Sequence, residues 1–159
     1  AGGGQAQMTP AGRTNQLLYQ AELLLGLSPD DDDEHAEARR RALEEGALAT
    51  LELALDSLLR EVTEHARLEH HDWRQLLGGD EAVAELTQLR ALAEVPESWL
   101  ARLLTRLEAL HGVEGAARRE AASGLIAVSA GEPLARELAG CLKAFKALLP
   151  ALRETSQEW

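Results

Sequence analysis

The sequence has few of the residues that favour β-strands and few that form disulfides. Aromatic residues make up 3% of its 159 residues, with one phenylalanine and one tyrosine. Valine, isoleucine and threonine are also scarce. Strands are not expected, because β-branched and aromatic side chains are the ones that favour them. The single cysteine, Cys141, excludes an intrachain disulfide, and its apolar neighbours predict a small core residue.

Long apolar runs and basic segments are absent as well. No apolar stretch approaches the roughly 18 residues of a transmembrane helix, and no charged start followed by an apolar segment indicates a signal peptide. The net charge of −11 repels nucleic acid and anionic membranes, and no segment is basic enough to bind a phosphate backbone. Together with the lack of disulfides, this predicts a cytoplasmic protein that binds neither nucleic acid nor membranes.

Leucine, alanine, glutamate and arginine dominate the sequence, and these are strong helix formers. The hydrophobic fraction of 45% and the charged fraction of 27% are those of an ordinary globular domain. We expect residues 8–159 to form a single helical domain with a core of mainly leucine and alanine, in or beside which Trp73 and Trp99 pack. The glycine-rich residues 1–7 are expected to be a vector-derived extension.

Capping residues and apolar periodicity divide the chain into helices. Thr9-Pro10 is a cap residue followed by proline, and it predicts the start of a first helix that ends at Gly26. Asp30 to Asp33 are interpreted as a loop that caps the next helix, because the spacing of a calcium loop is absent. One long helix is predicted over about residues 34–70, where apolar residues recur at spacings of three and four.

The second half of the chain predicts shorter helices. Asp80 is expected to cap one of them, and a strongly amphipathic one spans Trp99–Leu110. A further helix is predicted over about residues 113–129. The Gly131-Glu132-Pro133 turn is expected to open the last helix, which Pro150 kinks or ends. The predicted fold class is all-α, a compact bundle of five or six helices joined by short turns.

Three groups of residues are candidates for chemistry, and the first is a carboxylate-bridged di-metal site. Helical bundles build such sites from Glu-x-x-His pairs and further glutamates. Glu108 and His111 have this spacing, and His65 lies four residues from both Glu61 and Glu69, so each pair shares a helix face. A second Glu-x-x-His pair is absent and glutamate is abundant, so we predict no metal site and no bound cofactor.

The second candidate is the arginine-x4-histidine motif of the HEPN helical ribonucleases. In that family the cation stabilises phosphate charge and the imidazole transfers protons. Arg60 to His65 and Arg106 to His111 have this spacing. The residue after the arginine is usually Asn, Asp or His in the family, but Glu61 follows Arg60 here, and the acidic surface is a poor host for RNA. We interpret both pairs as surface or edge-of-core residues and predict no catalytic residues.

The third candidate is a cluster around the predicted end of the long helix, made of His65, Glu69, His70, His71 and Asp72. Histidine titrates near neutrality, so the cluster would suit a metal or a pH-sensing patch. Adjacent His70 and His71 point about 100° apart on a helix, which makes shared ligation awkward. We interpret the histidines instead as favourable charges at a helix C-terminus.

With these helices in place, a resemblance emerges from three short segments. They are Arg13-Thr14-Asn15-Gln16-Leu17-Leu18-Tyr19, Pro96-Glu97-Ser98-Trp99-Leu100 and Gln157-Glu158-Trp159. The chain resembles a family of small, uncharacterised, all-helical proteins from gamma-proteobacteria over nearly its whole length after Met8. The resemblance implies a bacterial, cytoplasmic, all-α protein and brings no catalytic residues. Arg13, Asn15 and Tyr19 lie roughly on one face, as a polar contact surface or, as we favour, as a helix start hydrogen-bonded to the bundle.

The acidic surface, the leucine and alanine core pattern and the lack of a complete catalytic set favour protein contacts over catalysis. We predict a non-catalytic protein-interaction module with an unidentified protein partner. Homodimerisation is one form of this, because a long helix with apolar stripes can bury a face against its copy. The alternative is a HEPN-like ribonuclease or a carboxylate- and histidine-based metal-binding bundle.

Overall fold

The computed structural model describes residues 8–27, 34–116 and 134–157, and six α-helices account for most of them. They are α1 (Pro10–Leu25), α2 (Ala36–Val62), α3 (Trp73–Leu77), α4 (Ala84–Glu94), α5 (Trp99–Leu110) and α6 (Leu134–Gln157). A 3₁₀ turn over Glu64–Ala66 follows α2. These ranges contain no β-strand, and the predicted all-α bundle is confirmed.

Helix α2 is central, because it packs against each of the other five helices. Its inner side is fully buried at Leu48, Leu51, Leu55 and Leu58, at the three- and four-residue spacing that predicted the helix. Helix α1 runs antiparallel to it, with Thr14 against Ser57 at one end and Leu24 beside Gly46 at the other. The expected packing roles of two tryptophans and the cysteine are also confirmed, since Trp73 and Cys141 are buried and half-buried Trp99 packs against Phe145 with the two rings tilted.

The ends of two helices follow their capping residues. The Thr9 hydroxyl accepts a hydrogen bond from the Gly12 N–H at 3.0 Å, Pro10 occupies the first helical position, and α1 ends at Gly26, as predicted. Likewise, the Ser98 hydroxyl accepts from the Ala101 N–H at the start of α5, whose predicted bounds are confirmed. Local capping therefore marks where both helices begin.

The long helix predicted over about residues 34–70 is shorter in the structure, because α2 ends at Val62. The buried Thr63 hydroxyl donates to the Leu59 carbonyl at 2.6 Å, and the Thr63 backbone leaves the helical region at φ −109°. Arg67 then adopts a left-handed conformation at φ 52°, which reverses the chain. Asp72 caps α3 by accepting from the Gln75 N–H, so a new helix starts there and residues 67–71 form a loop before it.

Helix α4 begins later than its sequence predicts, and Asp80 does not cap it. Val83 occupies the N-cap position instead, without a side-chain cap. The Arg90 guanidinium accounts for this, because it donates to the carbonyl oxygens of Leu76 and Glu81 and to the Glu81 carboxylate. These bonds hold the segment before Val83 as a turn against α4 rather than as part of it.

Two further predictions concern the C-terminal third. The helix predicted over residues 113–129 does not begin there, since residues 113–116 form a turn in which Gly115 has φ +80°. The rest of that prediction lies outside the described residues, as do Asp30 to Asp33. Pro150 does not end α6, which continues to Gln157 because Leu149 and Leu152 on either side of the proline are buried in the core.

Candidate functional site

A row of ionisable side chains follows one face of α2. Glu52, Asp56 and Arg60 recur every four residues and so share this face. Glu52 Oε2 accepts two hydrogen bonds, from Trp73 Nε1 at 2.8 Å and from His111 Nε2 at 2.7 Å. Since a carboxylate can only accept, His111 Nε2 carries the proton. One glutamate thus joins α2 to α3 and to the end of α5.

Asp56 lies one turn further along the same face. Its Oδ1 accepts from the Trp73 backbone N–H at 2.8 Å. Partial burial raises the pKa of this carboxyl to about 6, and the negative charges of Glu52 and Asp72 add to that rise. The hydrogen bond from Trp73 and the positive charge of Arg60 oppose it. Asp56 therefore takes up a proton in the folded protein at a pH where an ordinary aspartate is ionised.

Glu108 and His111, the Glu-x-x-His pair weighed as a candidate for a metal site, bond to two different partners. Glu108 Oε1 accepts from Arg74 at 2.8 Å, and the Arg74 guanidinium lies 4.6 Å from the centre of the Trp73 ring. His111 bonds to Glu52 instead. In the part of the chain that the structure describes, no group of three or more histidine, cysteine, aspartate or glutamate side chains is arranged to hold a metal ion.

Histidine paired with a carboxylate is also the supporting part of a nucleophilic catalytic triad. Among the described residues, no hydroxyl or thiol is hydrogen-bonded to His111. Cys141 lies in the core between α5 and α6, where burial raises the pKa of its thiol to about 11. The row on α2 therefore holds helices together, and these residues do not assemble a nucleophile with its base.

Neither arginine-x4-histidine pair forms a shared face in the structure. Arg60 is in the last turn of α2, whereas His65 is in the 3₁₀ turn beyond the end of that helix. Arg106 Nε donates to Glu137 at 2.5 Å, and His111 points to Glu52. Ionic contacts with other helices thus occupy the second pair.

The histidine cluster is also distributed rather than convergent. His71 approaches the Thr63 hydroxyl at 3.2 Å, and its pKa is lowered by partial burial, by Arg60 and by His70. His65, Glu69 and His70 are exposed. The expected role at a helix C-terminus fits His65, which lies in the 3₁₀ turn after α2, better than it fits His71 in the loop before α3.

A partly buried polar network ties the start of α1 to α2 and α6. Glu61 accepts from Arg153 Nε at 2.6 Å and from the Thr14 hydroxyl at 3.1 Å. Thr14 is also 2.7 Å from the Ser57 hydroxyl, and Arg153 donates to Asn15 Oδ1 at 3.0 Å. Asn15 therefore ties the helix start to the bundle, as we favoured for this segment. Glu61, which was weighed as a metal ligand together with His65, is hydrogen-bonded to Arg153.

One side of α1 carries exposed apolar side chains, and sequence periodicity alone did not single it out. Tyr19, Leu23 and Leu27 are 58%, 52% and 59% exposed and follow each other at four-residue spacing. Tyr19 and Leu23 lie opposite the buried side of α1, which contains Leu17, Leu18 and Ala21, and Leu27 follows just beyond the end of the helix. We call these three residues the α1 outer face. Large apolar side chains that line up on a surface are typical of a binding site, whereas scattered ones are not.

A shallow groove of about 340 Å³ lies between α4 and α6. Its lining is apolar except for one amide and consists of Gln88, Leu89, Ala91, Leu92, Val95 and Leu148. A ligand site usually adds several convergent polar groups to such a lining. None of the ionic contacts described above reaches this groove.

Comparison with known protein families gives one match, to DUF6586, over residues 8–159. The chain belongs to the DUF6586 family. The family is one of unknown function, so membership brings no assigned residues. No curated protein matches the chain, and no solved structure does either. None of the helices in the described DUF6586 fold is long and apolar enough to cross a membrane.

Proposed function

We propose that this DUF6586 protein is a non-catalytic protein-interaction module of the bacterial cytoplasm, and that the α1 outer face is its docking surface. The observation that carries the proposal is a group of apolar side chains that are each more than half exposed, with Tyr19 and Leu23 on the outer side of α1 and Leu27 just beyond its end. Exposing these side chains to water is unfavourable by roughly 25 cal/mol for each Å² of apolar surface. A partner that covers them recovers this free energy.

The hydrogen bonds of the ionisable side chains support the same proposal. Glu52, Glu61 and Glu108 each accept a hydrogen bond from a side chain of another helix. Catalytic carboxylates and histidines instead point into a pocket where a substrate can reach them. Here these contacts join helices, so the bundle serves as a rigid support for α1. A rigid support favours binding, because little conformational entropy is lost when a partner docks.

Site-specific photo-cross-linking in bacterial cells tests the proposal. A photoreactive amino acid replaces Leu23 in the full chain, and a matched chain carries it at Ala139, an exposed position on α6. We expect cross-linked adducts of defined mass from position 23 and not from position 139. Equal adducts from both positions, or none from position 23, would overturn the proposal.

A further inference from the structure

Three carboxylates surround Trp73 at the start of α3, and we call them the carboxylate cluster. Glu52 accepts from the Trp73 indole N–H, and Asp56 accepts from the Trp73 backbone N–H, each at 2.8 Å. The third, Asp72, directly precedes Trp73 and caps α3. The negative charges of Glu52 and Asp72 both act on Asp56. Docking of α3 on α2 therefore brings three carboxylates together where each is partly buried.

Two arginines lie beside the carboxylate cluster without neutralising it. Arg60 faces Asp56 from the next turn of α2, but the Arg60 side chain is exposed, so water screens the attraction. Arg74 follows Trp73 in α3 and is directed to Glu108 of α5, to which it donates at 2.8 Å. Repulsion among the three carboxylates therefore remains when all of them are ionised.

Two histidines also adjoin the cluster, and they act in different ways. His111 of α5 donates to Glu52 of α2, so this bond does not depend on where α3 lies. His71, in the loop before α3, is 3.2 Å from the Thr63 hydroxyl, and partial burial lowers the pKa of its imidazole. Titration of His71 alone would thus make the docking of α3 tighter as pH rises. Ionisation of the carboxylate cluster has the opposite effect.

The connections of α3 separate it from the rest of the bundle. Before it, residues 67–71 form a loop in which Arg67 has a left-handed backbone conformation. After it, Gly78 and Gly79 lead into the turn before α4. The α3 backbone lies against α2 and α4 and contacts neither α1 nor α6. A short element with few neighbours and irregular connections opens more readily than the core of a protein.

We infer that α3 is a pH-sensitive element, which undocks from α2 separately from the rest of the bundle and does so more readily as the carboxylate cluster ionises. Undocking removes Asp72 from Asp56 and lets water reach the Asp56 carboxylate. It also uncovers the buried side chains of Trp73 and Leu76, so the open state is a minor one that exposes a second apolar surface. The inference is independent of the α1 outer face, because α3 does not contact α1.

The direction of the pH dependence follows from Asp56. Burial, together with the two neighbouring negative charges, holds its pKa at about 6 in the docked state, against 3.8 for an ordinary aspartate. Between these values the docked state keeps a proton that the open state releases, so opening increases with pH and levels off above about pH 6. We expect the opening constant of α3 to rise at least about fivefold from pH 4 to pH 8, after allowance for solvent screening.

Amide hydrogen exchange of the full chain, followed by NMR and corrected for the intrinsic exchange rate at each pH, tests the inference. The Leu76 amide donates to the Asp72 carbonyl and reports the opening of α3. The Leu55 amide, in the buried middle of α2, reports the opening of the whole bundle. The Leu76 opening constant should be the larger one throughout. Equal constants for the two amides would overturn the inference, because α3 would then open only by global unfolding.

Three variants identify the groups that titrate. Asp56→Asn keeps an acceptor for the Trp73 N–H and should remove most of the rise in the Leu76 opening constant. Asp72→Asn keeps a good cap for α3 and should reduce the rise. Glu94→Gln, on the exposed side of α4, should leave it unchanged. The inference would be wrong if Asp56→Asn kept the full rise, or if the native opening constant fell with pH, as titration of His71 alone predicts.

Discussion

Glu52 Oε2 accepts a hydrogen bond from His111 Nε2 at 2.7 Å, across 59 residues of sequence. The same oxygen accepts from Trp73 Nε1, so one carboxylate joins the middle of α2 to two later helices. The imidazole is half-exposed, whereas the Glu52 side chain is only 18% exposed. Loss of the glutamate should therefore cost more stability than loss of the histidine.

Glu52→Ala is expected to lower the free energy of unfolding by about 2 kcal/mol, because the indole N–H of buried Trp73 loses its acceptor. His111→Ala should cost less than about 1 kcal/mol, since an exposed partner regains water. Urea unfolding of both variants and of the double variant checks this. Equal losses for the two single variants would contradict the assigned role of Glu52.

Asp56 is expected to destabilise the protein above pH 6. Its pKa rises from 3.8 to about 6 on folding, so between these values the folded protein holds a proton that the unfolded chain has released. The free energy of unfolding consequently falls as pH rises through this range and stays lower above it. Asp56→Asn keeps an acceptor for the Trp73 N–H and removes the charge.

Asp56→Asn should thus raise the free energy of unfolding at pH 8 by about 1 kcal/mol, after allowance for solvent screening of a half-buried group. The gain should shrink towards pH 4. Urea midpoints measured from pH 4 to pH 8 test this, with Glu94→Gln on the exposed side of α4 as the control. A gain of the same size at both ends of the range would show that the Asp56 charge is not its cause.

Arg153 is expected to matter more than the other cation that links α6 to α1. Arg153→Ala leaves Glu61, whose side chain is 11% exposed, without its guanidinium, and should cost about 3 kcal/mol. Lys146→Ala breaks a pair in which both side chains are about half exposed, and should cost less than about 0.5 kcal/mol. Thermal unfolding of both variants measures the two losses of stability. Similar losses for Arg153→Ala and Lys146→Ala would show that Arg153 and Glu61 form an ordinary surface pair.

Two glycines are expected to respond to alanine in opposite directions. Gly115 has φ +80°, and a Cβ there would collide with the Glu45 carboxylate that accepts from the Ala116 N–H at 2.7 Å. Gly115→Ala should therefore cost about 1–2 kcal/mol. Gly140 lies in α6 with nothing within 4 Å of its added Cβ, so Gly140→Ala should gain about 0.5–1 kcal/mol. Urea unfolding measures both, and a stabilising Gly115→Ala would show that the turn is not held as described.

Local signals predicted α1 and α5 well, because Thr9 and Ser98 cap helices whose apolar stripes are regular. The end of α2 was not predictable in this way, since helix-forming residues continue past Val62. The helix ends where the Thr63 backbone leaves the helical region and Arg67 becomes left-handed, and neither residue has a strong sequence signature. The start of α4 depends on Arg90, which reaches back to Leu76, 14 residues away.

The ionic contacts were less predictable than the helices. The four-residue spacing of Glu52 and Asp56 places both on one face of α2, but nothing local shows that Trp73 and His111 meet them there. The spacing of Glu108 and His111 suggested that both side chains could bind one metal ion. Long-range packing gives the two side chains different hydrogen-bond partners instead. The α1 outer face follows from spacing only once the buried side of α1 is known.

The measurement that tests the α1 outer face most directly is photo-cross-linking in bacterial cells from position 23 of the full chain, with exposed position 139 on α6 as the matched control. We predict adducts of defined mass from position 23 and none from position 139. Equal adducts from both positions, or none from position 23, would contradict the assignment of the α1 outer face as a docking surface.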